Sequence, residues 1–208
     1  MRIFSTLIIL FIIISGCSSS KVVEQYVNPE TTDFKPQKIL VIGLTPDGGL
    51  QRQFEYSMVK ALEDQNVNAV KSVDLYGEPF EISQDIENNW ENFQSDLLKS
   101  GFDSVLLSKI TGQETRVTIA QSYRNLVRTF ETFDTYYKEN RTISESGQLE
   151  DYPVLNTESS LYCLCPDREN DLIWRGNIDI VNAPNSQKTI RDYVNTLVRA
   201  LRKNRFFN

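Results

Sequence analysis

The sequence predicts an α/β domain built on a mixed sheet, in the order β-α-β-α-β followed by a β-hairpin and a carboxy-terminal helix packed on the sheet. Three observations carry this. Ile39-Leu40-Val41-Ile42 is an unbroken apolar run ending at Gly43, as expected of a strand covered on both faces. Residues 172–181 alternate apolar and polar side chains. The last twenty or so residues carry one long apolar stripe at helical spacing.

Taken in chain order, the run at 39–42 is followed by Thr45-Pro46-Asp47-Gly48-Gly49, a turn, and then by a helix over Leu50–Gln65. On that helix Phe54, Met58, Ala61 and Leu62 share one face, while Gln53, Glu55, Lys60 and Glu63 lie off it. Asn68–Val73 reads as a short strand around Ala69 and Val70, and Gly77-Glu78-Pro79 as a polar loop. Ile86, Trp90, Phe93 and Leu97 step by four, three and four, marking a second amphipathic helix that Gly101 closes, because glycine takes a left-handed terminus without strain. Val105-Leu106-Leu107 is the centre of a third, buried strand.

The last third is read as two strands, Leu155–Cys165 and Leu172–Val181. In the second of these Trp174, Ile178 and Ile180 face a core, and Arg175, Asn177 and Asp179 face water. The final helix starts at a cap of Asn185 or Ser186 and lines up Ile190, Tyr193, Val194, Leu197, Val198 and Leu201. Arg199, Arg202, Lys203 and Arg205 gather where the carbonyl end of a helix favours cations. Residues 116–150 mix helical spacing with strand-forming threonines and tyrosines and give no defined element.

Domain limits follow from the first forty residues. Arg2 precedes an apolar segment, Ile3 to Ile14, which is shorter than the roughly 20 residues a membrane-spanning helix needs and is followed by small residues, the pattern of a secretory signal. Ile14-Ser15-Gly16-Cys17 resembles the lipobox of bacterial lipoproteins. The resemblance implies cleavage before Cys17, a diacylglycerol thioether on its sulfur, and acylation of the new amino group. It makes Cys17 the lipidation site, makes Ile14, Ser15 and Gly16 the signal-peptidase recognition residues, and makes a membrane the first partner. Ser18, standing where an aspartate would follow the cysteine, adds an outer-membrane location facing the periplasm. Residues 1–16 are thus expected to be removed. Residues 17–36, polar and interrupted by Pro29 and Pro36, are expected to be a lipidated tether spanning about 25 Å, and residues 37–208 a single domain.

Composition excludes several functions. The net charge of −6 becomes one unit more negative once Arg2 is lost, which does not suit a nucleic-acid partner. The absence of histidine removes Ser-His-Asp triads, Cys-His pairs and histidine metal ligands; no metal and no cofactor beyond the covalent lipid are expected. Ser57, Ser104 and Ser108 have no base better than a lysine. The chain is therefore read as non-enzymatic.

Three candidate sites stand out. The turn Thr45–Gly49 lies between strand and helix, but Gly49 occupies the place of the phosphate-loop lysine, so a plain turn is the simpler reading; a pocket for a small molecule at these strand ends is the alternative to a partner-binding role. Cys163 and Cys165, two apart on a strand, are about 6.6 Å between α-carbons. They are read first as buried thiols, with a strained disulfide or half of a soft-metal site as alternatives. Tyr123, Phe130, Phe133, Tyr136 and Tyr137 are the candidate surface for an envelope protein partner, against the alternative that they lie on the core.

The element order, together with the strand Leu172-Ile173-Trp174-Arg175-Gly176, resembles small envelope lipoproteins whose soluble part is similar to the TolB amino-terminal domain. Over roughly residues 37–203 it implies a protein that binds partners or helps assembly at the envelope, and it carries no catalytic residues.

Overall fold

The computed structural model describes residues 20–31, 33–45, 47–77, 90–112, 154–165, 172–181 and 186–207. Their strands are β1 (Ser20–Val27), β2 (Lys38–Leu44), β3 (Asn68–Lys71), β4 (Ser104–Gly112), β5 (Val154–Cys163) and β6 (Leu172–Val181). Their helices are α1 (Gly48–Glu63), α2 (Ser72–Tyr76), α3 (Trp90–Lys99) and α4 (Ser186–Lys203), with a short 3-10 turn at Pro29–Thr31. The strands form one sheet in the order β1-β6-β5-β4-β2-β3, parallel from β4 through β2 to β3 and antiparallel elsewhere. The mixed α/β class expected from the sequence is what forms.

Alternation along the strands sorts side chains to two covered faces. On one, Ile39, Val41, Leu106, Leu161, Trp174, Ile178 and Ile180 pack against Phe54, Met58 and Leu62 of α1 and the α4 stripe from Tyr193 to Leu201. On the other, Leu40, Ile42, Leu44, Val105, Leu107 and Tyr162 meet Leu97 of α3 and Phe102. The carboxylate of Asp47 caps α1, accepting from the amides of Gly49 (2.8 Å) and Leu50 (3.1 Å). Gly101 takes φ +82° after α3, the left-handed terminus foreseen for it.

Four expectations are corrected. First, eight residues of the expected tether over 17–36, Ser20–Val27, are the edge strand of the sheet: Ser20 pairs with Ile180 and Val27 with Trp174. The strand is hard to read because the register shifts between Val22 and Glu24, so its apolar positions lose the two-residue period and Val23 is 57% exposed.

Second, Arg175 is buried instead of meeting water. Its Nε lies 3.7 Å from Glu158, which sits 3.6 Å from Lys109, and it donates to the hydroxyls of Ser160 (3.2 Å) and Tyr162 (3.4 Å). Third, β3 stops at Lys71, and Ser72 and Val73 begin α2. Fourth, Cys163 and Cys165 are joined as a disulfide. β5 ends at Cys163, and their α-carbons are 5.2 Å apart, closer than on a continuing strand, so the buried-thiol reading gives way.

Candidate functional site

β2 is the strand at which the winding reverses. The chain leaves it through α1 on one face to reach β3, then returns through α3 on the other face to β4, on the opposite side of β2. In open α/β sheets the crevice at such a reversal, beyond the carboxyl ends of the strands, is where ligands bind. A cavity of about 230 Å³ lies there, between the sheet and the first turns of α1 and α4.

A row of small residues crosses the sheet beside it. Gly43, Ser108, Ser159 and Gly176 are register neighbours across β2, β4, β5 and β6. Three aromatic rings lie against this row. Phe54 is so close to Gly43 that a β-carbon there would sit 2.9 Å from the ring, and Trp174 leaves only 2.5 Å at Gly176. Tyr193 reaches the two serines between them: its hydroxyl is 2.5 Å from Ser159 Oγ, which is 2.7 Å from Ser108 Oγ. Beyond the row, Leu44, Leu50, Ile110, Leu155, Ile180 and Ile190 make aliphatic walls.

The cavity is therefore lined by Ser108 and Tyr193, whose hydroxyls are linked through Ser159 behind the lining, with hydrocarbon around them. Burial raises the Tyr193 hydroxyl above the usual tyrosine range, and its bonds to Ser108, Ser159 and Thr157 oppose that only partly. Tyr193 thus stays neutral, and a neutral phenol can donate or accept one hydrogen bond. Such a lining suits an uncharged or weakly polar group on an otherwise apolar molecule.

Behind the wall, Glu55 is wholly buried. Its Oε1 accepts from the Gly43 amide (3.0 Å), Gln51 Nε2 (3.0 Å) and Ser72 Oγ (2.6 Å), and its Oε2 from the Val73 amide (3.1 Å). One carboxylate thereby locks the end of β2, helix α1 and the start of α2 together. It also favours the helical turn at Ser72, since the free amide of Val73 in the first turn of α2 finds an acceptor there.

Of the sequence candidates, Thr45 lines the cavity, whereas Gly49 and Leu50 spend their amides on Asp47. That is the plain turn, with those two donors already engaged. Gly77 closes α2 with φ +77° and is not part of the lining. Ser108 is in the lining, bonded to Ser159, while the amine of the adjacent Lys109 points through the other face to Glu158. Ile14, Ser15, Gly16 and Cys17 lie outside the described residues, as do Tyr123, Phe130, Phe133, Tyr136 and Tyr137.

Sequence reasoning missed Tyr193 as a lining residue, because a tyrosine inside an apolar helical stripe reads as core. Thr157 and Ser159, at successive inward positions of β5, were the available signal, since small hydroxyl residues there leave a gap that the core does not fill. Glu55 left no such mark.

Fold and site together define a mixed-sheet α/β domain with an apolar cavity at its topological switch point. No protein-family profile matches the chain, and no curated protein does either. Among solved structures, the chain is similar to the PelC dodecamer from Paraburkholderia phytofirmans, with a TM-score of 0.44 and 8% identity over 86% of this chain and 94% of that one. It is also similar to lipoprotein GNA1162 from Neisseria meningitidis, with a TM-score of 0.38 and 12% identity over 81% of this chain and 99% of that one.

Proposed function

We propose that this protein is a lipid-anchored component of the bacterial cell envelope, held by acyl chains on Cys17 at the periplasmic face of the outer membrane, and that it binds an apolar ligand without transforming it. The observation that carries the binding role is the cavity itself: aliphatic walls beside Ser108 and Tyr193, whose hydroxyls Ser159 links behind the lining. Apolar cavities of about 150 Å³ stay dry and take up benzene or xenon, and this one is larger at about 230 Å³. A ligand filling it would gain about 0.8 kcal/mol for each methylene removed from water. The anchor rests on the Ile14–Cys17 sequence, and two or three chains on one residue would hold the protein firmly where a single chain would not. The cavity shifts the emphasis from a protein partner at Tyr123–Tyr137 to the strand ends.

Two measurements test the two halves. Under xenon pressure the methyl resonances of Leu155 and Ile180 should shift in the purified mature protein, and Leu155→Trp, which fills the cavity, should abolish the response. A folded protein whose methyls ignore xenon, or whose response survives that substitution, has no such binding site. For the anchor, Cys17→Ser should leave the precursor uncut and free of fatty acid by mass spectrometry; acylation and cleavage at the same bond in that variant would remove the lipoprotein assignment.

A further inference from the structure

We infer that the solvent side of α4 is a docking ridge for a membrane surface that carries anionic phosphate headgroups. The inference takes the presence of a membrane from the anchor reading above and adds the face that meets it. Tyr193, Leu197 and Leu201 turn one side of α4 into the core. At helical spacing Lys188, Arg191, Asn195, Arg199 and Arg202 fall on the opposite side, and all five are exposed, as is Lys203. At 1.5 Å per residue the row from Lys188 to Arg202 is about 21 Å long.

Neither helix stability nor solubility accounts for this row. The carbonyl end of a helix favours cations, which explains Arg202 and Lys203. Lys188 and Arg191 stand in the first two turns, where the same dipole opposes them and the first turn holds no acidic residue. Lys188 pairs with Asp192 at 2.7 Å. Among the described residues no carboxylate pairs with Arg191, Arg199, Arg202 or Lys203. Arg199 donates to neutral acceptors, the Asn195 carbonyl and Thr196 Oγ1, both at 3.1 Å, so its charge is not cancelled. It also stands three and four residues before Arg202 and Lys203, spacings at which like charges repel. The chain as a whole carries −6, and a cationic row runs against that balance.

The surroundings of the row favour a flat array of phosphates. A protein partner calls for an apolar centre to its contact, and the exposed large hydrophobics among the described residues, Val23, Tyr56, Leu75 and Tyr76, all lie off α4. The outer side of a helix is convex and encloses nothing, whereas a plane of headgroups touches it along its length. Guanidinium groups match phosphate oxygens two at a time. The excess of acid elsewhere does not cancel the attraction. α3, with exposed Glu91 and Asp96, packs on the other face of the sheet. It is therefore more than one helix diameter, about 10 Å, from a plane touching the row, beyond the screening length of about 8 Å at physiological salt. Beside the row, α1 exposes Arg52 and Lys60 against Glu63, with Asp64 following it, and is balanced.

The test uses the mature chain with Cys17→Ser, exported behind an ordinary secretory signal so that it carries no acyl group. It should float with vesicles of phosphatidylcholine and phosphatidylglycerol, stay behind with phosphatidylcholine alone, and be released as salt rises. Each cation near an anionic surface strengthens binding about fivefold, so Arg191→Gln with Arg202→Gln should weaken it about 25-fold, and Arg191→Glu with Arg202→Glu further. Lys21→Glu with Lys99→Glu is the matched control. It changes net charge as much as the Glu pair, at exposed positions on the other side of the sheet from α4, and should weaken binding only a few-fold. Melting temperature shows that each variant is folded, and the Gln pair carries the test if the Glu pair is not. No flotation with phosphatidylglycerol, equal flotation with phosphatidylcholine, or equal losses in the matched Glu pairs overturns the inference. So does binding to soluble polyglutamate in place of vesicles, which would make the partner an acidic polymer. The anchor is judged separately: failed flotation with fatty acid present on wild-type Cys17 removes the ridge alone, and flotation with wild-type Cys17 bare removes the anchor alone.

Discussion

Glu55 Oε1 and Ser72 Oγ are 2.6 Å apart, the shortest bond in a four-donor clamp that joins three elements beside the cavity residues Gly43 and Gln51. Truncating the acid strands four donors in a place that water does not reach, and an unsatisfied buried polar group costs about 1–3 kcal/mol. The donors are coupled and some relax, so Glu55→Ala should cost about 3 kcal/mol, or roughly 6–12 °C in melting temperature for a domain of this size. Glu55→Gln should cost less by about half, since the amide keeps one acceptor oxygen but turns an N–H toward donors. Thermal unfolding of the two variants checks the order; equal and negligible losses would mean the clamp is not structural.

The alkaline limb of stability should belong above all to two wholly buried tyrosines, with Tyr76, pushed up to about 12 by burial, adding to it. Burial raises both Tyr162 and Tyr193 above the ordinary value, and Arg175 opposes the rise at Tyr162 only in part. A group with a raised folded-state pKa holds its proton more tightly when folded, so its contribution is complete below the unfolded value, near pH 10, and is lost as pH rises beyond it. Melting temperature should therefore fall steeply above about pH 10, with the tyrosinate absorbance of these two appearing only on unfolding. Tyr162→Phe and Tyr193→Phe should each flatten that fall while costing about 1 kcal/mol at neutral pH through their lost hydrogen bonds. A titration in which all nine tyrosines ionise together in the folded state would contradict the assignment.

At Gly176, a β-carbon would lie 2.5 Å from two atoms of the Trp174 ring, which is fully buried. The ring cannot retreat without disturbing the core around it, so Gly176→Ala should cost about 1–3 kcal/mol by overpacking. Its tryptophan emission should shift as the indole is displaced. Gly43→Ala meets Phe54 at 2.9 Å and should act in the same direction, and it should also narrow the cavity. Unchanged emission with unchanged stability in Gly176→Ala would show that the row of small residues is not what seats the rings.

Much of this architecture was visible in the amino acids because a single period governs each of the clearest elements. The run 39–42, the alternation from Trp174 to Ile180 and the stripe from Ile190 to Leu201 each report burial on a fixed geometry, and each lies where the sequence puts it. Polar burial obeys no such period. Glu55 looks like any solvated helix position, and Arg175 like the wet side of a strand, because partners that let them be buried come from residues distant in the chain: Ser72, which donates to Glu55, and Glu158, which pairs with Arg175. The cavity was half visible: Thr45 stands at the end of a buried strand before a helix, the place the fold rule names, but its hydroxyl lining is assembled from β4, β5 and α4. No local pattern spans those elements.

The strand β1 separates a spacer from a structural edge. If residues 20–27 only linked lipid to domain, replacing them with a glycine-serine run of equal length would leave stability unchanged. In the structure they pair with β6 along its length, and Val22 and Val27 pack on the main core. The replacement removes those contacts, and the ladder must then be held by residues with poor strand preference and no side chain to bury. A loss of about 3 kcal/mol or more is expected, from two half-buried valines at about 1 kcal/mol each and a weakened ladder. Amide exchange gives the sharper reading. In the intact protein the amides that β6 turns toward β1 should be protected, and in the replaced protein those same amides should exchange faster while those facing β5 stay protected. Protection on both sides of β6 after replacement would show that the eight residues are a spacer after all.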